Sequence, residues 1–112
     1  MIKRISLLQR KAEMTVEEFN RHWFDIHGPL ARHVPGLRRY VQNHVQGSSS
    51  RNDVPDIDIQ VDGIAELWWD DAKAMKISTA TPEAKALFAD GALFIGRIKT
   101  YLIEEKAIIG DE

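Results

Sequence analysis

The run Thr15-Val16-Glu17-Glu18 sets the first helix of this chain and, with it, the order of the elements on either side. Thr15 is placed to accept from the backbone N–H of Glu18. The Glu18 side chain can return to the Thr15 N–H, the reciprocal pattern that opens a helix. Met14 and Phe19 stand where a hydrophobic staple belongs. Val16, Phe19, Trp23, Ile26 and Leu30 then recur at steps of three and four, which is one apolar helical face. Gly28-Pro29 interrupts that face, because proline lacks a donor and its ring clashes with the preceding turn. The backbone near His27 is therefore expected to be kinked or open.

A strand-type segment, Ile2 to Gln9, precedes this helix, and Val34-Pro35-Gly36 ends it. Leu37 to Gln46 reads as a second strand, followed by a polar Ser-rich loop from Gly47. Gly63 to Trp69 is a third. Asp70 or Asp71 can cap a short helix from Ala72 to Ser78, and Thr81-Pro82 opens another that runs to about Asp90, with Gly91 at its end. The last strand runs from Gly96 to Ile103. The order is β-α-β-β-α-β, an α+β, ferredoxin-like plan with a four-stranded antiparallel sheet and its helices on one face. One domain, 1–105, followed by a C-terminal tail, 106–112, accounts for the 112 residues.

Composition removes several functions. Fifteen basic against 17 acidic side chains give a net charge of −2, without the basic excess that nucleic-acid binding needs. The third strand, with Glu66 and Asp70, also lacks the basic-aromatic pattern of an RNA-recognition sheet. No cysteine is present, which excludes thiol nucleophiles, redox pairs and cysteine-type zinc sites. The spacing of His22 and His27 does not make an i, i+4 metal pair, and no metal is expected. No glycine-rich phosphate loop and no GxSxG elbow appear, so nucleotide cofactors and a serine triad are not indicated. With no run of about 20 apolar residues, neither a membrane partner nor a membrane span is expected, and a cytoplasmic protein is the simplest reading.

A sheet with helices on one side leaves its other face uncovered, and a second copy of the chain is the expected cover. Alternation assigns Ile5, Leu7, Val41, Val45, Ala65, Leu67 and Ile98 to the helices. The open face then receives Ser6, Leu8, Tyr40, Gln42, His44, Glu66, Trp68, Lys99 and Tyr101, an aromatic-walled set with polar groups suited to a small apolar ligand. One bulge reverses such an assignment for a whole strand.

His22-Trp23-Phe24-Asp25-Ile26-His27-Gly28-Pro29, followed by Pro35-Gly36-Leu37-Arg38-Arg39-Tyr40-Val41-Gln42-Asn43, resembles the signature of the EthD-like family of dimeric α/β barrels. Met14-Thr15-x-Glu17-x-Phe19 and Gly63-Ile64-Ala65-Glu66-Leu67-Trp68 match it as well, so the resemblance spans nearly the whole chain. It implies a homodimeric barrel. The chain is also similar to the methylmuconolactone methylisomerases, small relatives that rearrange lactones from aromatic-compound degradation. The resemblance puts their catalytic histidine on His27 and an active-site tyrosine on Tyr40. It puts their active-site cysteine near Leu67, where this chain has none.

Residue chemistry offers roles beside that resemblance. His27 titrates near neutrality and can move a proton, or it can simply tie down carbonyls freed at the helix break. Tyr40 can donate to a developing enolate oxygen, or be a packed strand aromatic. Glu66 can be a raised-pKa base or the orienter of His27, or pair with Lys99 or Arg97 across the sheet. His44, Gln42, Trp68, Tyr101 and Ser6 are candidate ligand contacts on the cavity face. The expectation is a cofactor-independent, isomerase-type enzyme acting by proton transfer on a small apolar carbonyl or lactone compound. The alternative is a non-catalytic barrel that binds a small ligand or haem through His27 or His44.

Overall fold

The computed structural model describes residues 1–110. Its elements run β1 (Ile2–Arg10), α1 (Val16–Arg21), a π-helical turn (His22–His27), α2 (Gly28–Ala31), β2 (Arg39–His44), β3 (Gly63–Trp69), α3 (Ala72–Thr79), α4 (Pro82–Gly91) and β4 (Ile95–Ile103). The expected order holds, with β2 shorter at both ends than its sequence signal. The last two positions of the 106–112 tail lie outside the described residues.

The capping box is present in full. Glu18 N–H donates to Thr15 Oγ1 at 3.1 Å and Thr15 N–H to Glu18 Oε1 at 2.8 Å. The disturbance expected at Gly28-Pro29 takes the form of the π-turn. Gly28 N–H bonds the Trp23 carbonyl five residues back, and α2 then resumes through Pro29. Widening the turn by one residue accommodates the proline without breaking the rod, and such bulges recur at functional sites. Thr81 and Asp71 cap α4 and α3 through side-chain oxygens, as their spacing implies.

The sheet order is β2-β3-β1-β4, antiparallel throughout. β1 lies in the interior, with Ser6 opposite Ala65 on one side and Thr100 on the other. Gly96 marks the bulge between β1 and β4. A Cβ there would sit 2.8 Å from the Arg10 carbonyl oxygen, so only glycine permits the approach. Phe19, Trp23, Trp69 and Phe94 form the fully buried centre between helices and sheet, joined by Leu8, Ala65 and Leu67. Ala31 and Val34 pack on Ala84 and Leu87 to seat α2 against α4. Among the described residues no helix is long and apolar enough to cross a membrane.

Strand parity departs from expectation in half the sheet. β3 and β4 face as read, with Ala65, Leu67 and Ile98 toward the helices and Glu66, Trp68, Lys99 and Tyr101 away from them. β1 and β2 are reversed. Leu8 joins the buried core, Ser6 lines the same helix-side cavity, and Tyr40, Gln42 and His44 all meet Trp23 of the π-turn. Ile5, Leu7 and Val41 take the open face instead, opposite Glu66 and Tyr101 or beside them. Both sides of β1 carry leucine, so alternation defined two sets without deciding which faced in. Polar partners, on the π-turn for β2 and on β4 for Ser6, decided it.

Candidate functional site

The reversal splits the predicted residues into two groups. His27, Tyr40 and Ser6 line one cavity of about 560 Å³ between the helices and the sheet. Glu66, Trp68 and Tyr101 lie on the opposite face and do not reach it. Gln42 and His44 support the cavity from behind. With Tyr40 they line a separate outer cleft beside Phe24 and Arg32.

His27 closes the π-turn and is 8% exposed. Its Nδ1 lies 2.8 Å from Asp90 Oδ2, and its ring meets Phe94 edge-on at 5.1 Å. With Nδ1–H donating to Asp90, Nε2 is the free, basic nitrogen, and no side chain among the described residues hydrogen-bonds it. Burial pushes the His27 pKa below the ordinary histidine value, outweighing the bond and charge of Asp90, so the ring is neutral and competent as a base at pH 7. Asp90 also receives His22 Nε2 at 3.1 Å to each oxygen. Two histidines therefore share one carboxylate, an arrangement that fixes the tautomer and orientation of His27.

Tyr40 is held by two donors. Trp23 Nε1–H reaches its hydroxyl oxygen at 2.9 Å and Gln42 Nε2–H at 3.1 Å. Both oxygen lone pairs are thus engaged, which leaves the O–H proton to donate to a ligand. Burial raises the Tyr40 pKa against the two hydrogen bonds, so the phenol keeps its proton across the neutral range. Gln42 Nε2 also donates to the Trp23 carbonyl at 2.8 Å, the same carbonyl that closes the π-turn. Its Oε1 faces His44 Nε2 at 2.9 Å. His44 stacks on Trp23 and has Asn20 on its other nitrogen at 3.1 Å, so neither ring nitrogen is available to a ligand. Burial lowers its pKa as well. Ser6 bonds Thr100 across the cavity wall at 2.9 Å.

The open-face group has a different character. Glu66 binds Lys3 Nζ at 2.7 Å and Asn43 Nδ2 at 2.9 Å, and these partners hold its pKa below the usual carboxylate value. It is neither a raised-pKa base nor the orienter of His27, and its partner is Lys3, not Lys99 or Arg97. Trp68 lies between Lys3 and Arg39, each 4.7 Å from its ring centroid, and Tyr101 is half exposed.

Asp90 and Thr100 were not singled out from sequence. Asp90 carries one signal: a carboxylate in the last turn of a helix opposes the macrodipole and calls for a nearby donor. Its histidine partners are 63 and 68 positions away, so only packing reveals them. Among the described residues no group of three or more histidine, aspartate, glutamate or cysteine side chains has the arrangement to hold a metal ion.

Residues 11–98 match the family described as the EthD domain. A protein of Pseudomonas reinekei named 4-carboxymethyl-4-methylbutenolide mutase is 29% identical over 106 residues, covering 94% of this chain and 98% of that one. An EthD family protein from Bacillus halodurans C-125 superposes with a TM-score of 0.76 at 29% identity, over 95% of this chain and 99% of the other. A dimeric ferredoxin-like protein of unknown function from Thermobifida fusca superposes with a TM-score of 0.69 at 16% identity, over 91% and 88%.

Proposed function

The chain belongs to the EthD family, and from that membership and the inner cavity we propose that it is a cofactor-independent enzyme of isomerase type. It acts by proton transfer on a small carbonyl or lactone compound. The observation that carries this reading is that a neutral histidine backed by a carboxylate and a tyrosine hydroxyl with its proton uncommitted line the same cavity. The Pseudomonas reinekei relative, named as a mutase of a butenolide, supports the lactone class.

His27 Nε2 takes a proton from carbon conjugated to the carbonyl. The C–H electrons form a new carbon–carbon double bond, and the carbonyl electrons move onto oxygen. Tyr40 donates its O–H to that oxygen as charge develops, and Asp90 stabilises the imidazolium. The imidazolium then returns the proton to a different carbon, and the carbonyl re-forms. No electrons are gained or lost, so no redox partner is required. The base needs no cysteine, which fits a chain with Leu67 in the cavity wall.

The open face carries Ile5, Leu7, Ile64, Trp68 and Tyr101, and it packs on a second copy of the chain to make the homodimeric barrel. The likeness to the dimeric Thermobifida fusca protein supports this assembly. The His27–Asp90–Tyr40 set itself is assembled within one chain.

The test is turnover of 4-carboxymethylbutenolide, whose ring C4 carries the hydrogen that the scheme moves, followed by ultraviolet absorbance and proton NMR. Wild type is expected to exchange a ring proton with deuterated solvent. His27→Ala should lower kcat by about 10²–10⁴-fold, and Tyr40→Phe by about 10²–10³-fold. Proton exchange that is untouched by His27→Ala would overturn the proposal.

A further inference from the structure

Arg4 lines the inner cavity and has no task in the proton-transfer scheme. β1 presents it on the same face as Ser6, in register with Leu67 and Leu102. Its guanidinium lies 5.3 Å from the Trp69 ring centroid and 5.9 Å from that of Phe88. The Nε atom is buried and has no hydrogen-bond partner among the described residues. Other arginines of the chain are differently placed: Arg38 is paired with Asp70, Arg51 with Asp53, and Arg10 with Asp62. A partly buried cation facing aromatic rings without a counter-ion is unfavourable unless something supplies the missing charge.

The cavity around it is short of negative charge. No aspartate or glutamate is among its lining residues, whereas Arg97 is a second arginine there, and Asp90 is turned toward its histidines. A guanidinium is a rigid fork that matches a carboxylate through two parallel N–H···O bonds.

We propose that Arg4 is the anchor for a carboxylate on the substrate, so that the cavity takes an anionic lactone or carbonyl acid in preference to its neutral counterpart. The carboxylate meets the Arg4 guanidinium from the cavity side, beside Phe88, and this fixes which carbon of the ring is offered to His27 and which oxygen to Tyr40. The anchor rests on the proton-transfer reading for the chemistry of the bound acid, but not for binding itself.

The probes are 4-carboxymethylbutenolide and its methyl ester, which differ by one charge. Affinity is measured by titration calorimetry at pH 7.5, and turnover separately by absorbance. Wild type is expected to bind the acid about tenfold to a hundredfold more tightly than the ester, the ratio a charge-assisted bond provides. Arg4→Gln should remove that preference by weakening the acid alone, and Arg4→Lys should keep part of it. A preference that survives in Arg4→Gln, or a wild type that does not distinguish acid from ester, would overturn the anchor. If Arg4→Gln fails to fold, Arg4→Lys and the wild-type ratio still decide the matter. Arg4-dependent binding without turnover supports the anchor and refutes the chemistry. Turnover of acid and ester alike supports the chemistry and refutes the anchor.

Discussion

Replacing Asp90 by asparagine separates the structural from the chemical work of the His27–Asp90 pair. Asparagine keeps an acceptor oxygen for His27 Nδ1–H, so the 2.8 Å contact survives as a neutral hydrogen bond. A charged bond contributes about 1.5–3 kcal/mol and a neutral one about 0.5–1.5 kcal/mol, so the fold loses about 1–1.5 kcal/mol. The His22 contact is with a more exposed ring and adds little to that. The transition state suffers more. There His27 is an imidazolium in a site that burial already makes hostile to charge, and its counter-ion is gone. A loss of about 3 kcal/mol of stabilisation lowers kcat/KM by about 150-fold. The pH profile also moves in a determined direction. Asp90 raises the His27 pKa against the lowering effect of burial, so removing its charge lowers that pKa further. The acid limb of kcat/KM should therefore shift to lower pH while the plateau drops. Urea unfolding and a pH–rate profile of Asp90→Asn measure both. A variant that loses stability with an unchanged plateau and an unmoved limb would show Asp90 to be a structural clamp only, and the proposed mechanism would fail.

Three other perturbations probe the same geometry. His27 and His44 are both depressed by burial, so the unfolded chain binds more protons than the folded one below about pH 6.5. Their contribution to stability is present above that pH and lost as pH falls through the folded values; urea unfolding between pH 7.5 and 5.5 should show the decline, flattened in His27→Gln, and a stability that rises on acidification would contradict it. Glu66→Gln breaks the Lys3 pair on the open face and leaves kcat/KM within about twofold; a loss resembling that of His27→Ala would return Glu66 to the catalytic set. Gly63→Ala sets a Cβ into the six-membered ring of Trp23, which must shift from its bond to Tyr40 and its stacking on His44 at a cost of about 1–3 kcal/mol, and a wild-type urea midpoint would refute the packing.

Much of the chain was legible one residue at a time. The Thr15–Glu18 box, the Asp71 and Thr81 caps and the period-two runs are local signals, and local sterics and hydrogen bonding made them elements. His27 was legible for the same reason, because Gly28-Pro29 disturbs a helix whatever surrounds it, and the π-turn answers to that proline. The direction each strand faces was not local. Ile5 and Leu7 are as apolar as a core requires, and Ser6 and Gln42 as polar as a surface requires, yet the polar set faces inward. Gln42 satisfies the opened Trp23 carbonyl, Tyr40 takes the indole N–H, and Ser6 takes Thr100. Those partners lie up to 94 positions apart, and no periodicity encodes them. Asp90 is the sharpest case: a carboxylate at a helix end becomes the shared hydrogen-bond partner of two histidines only because α4 packs on the π-turn. The amino-acid sequence by itself determined which segments fold and which histidine stands at a break. The tertiary structure decided which face each strand offers, and therefore which groups meet around the cavity, because a burial choice between two mixed faces is made by the partners each face finds.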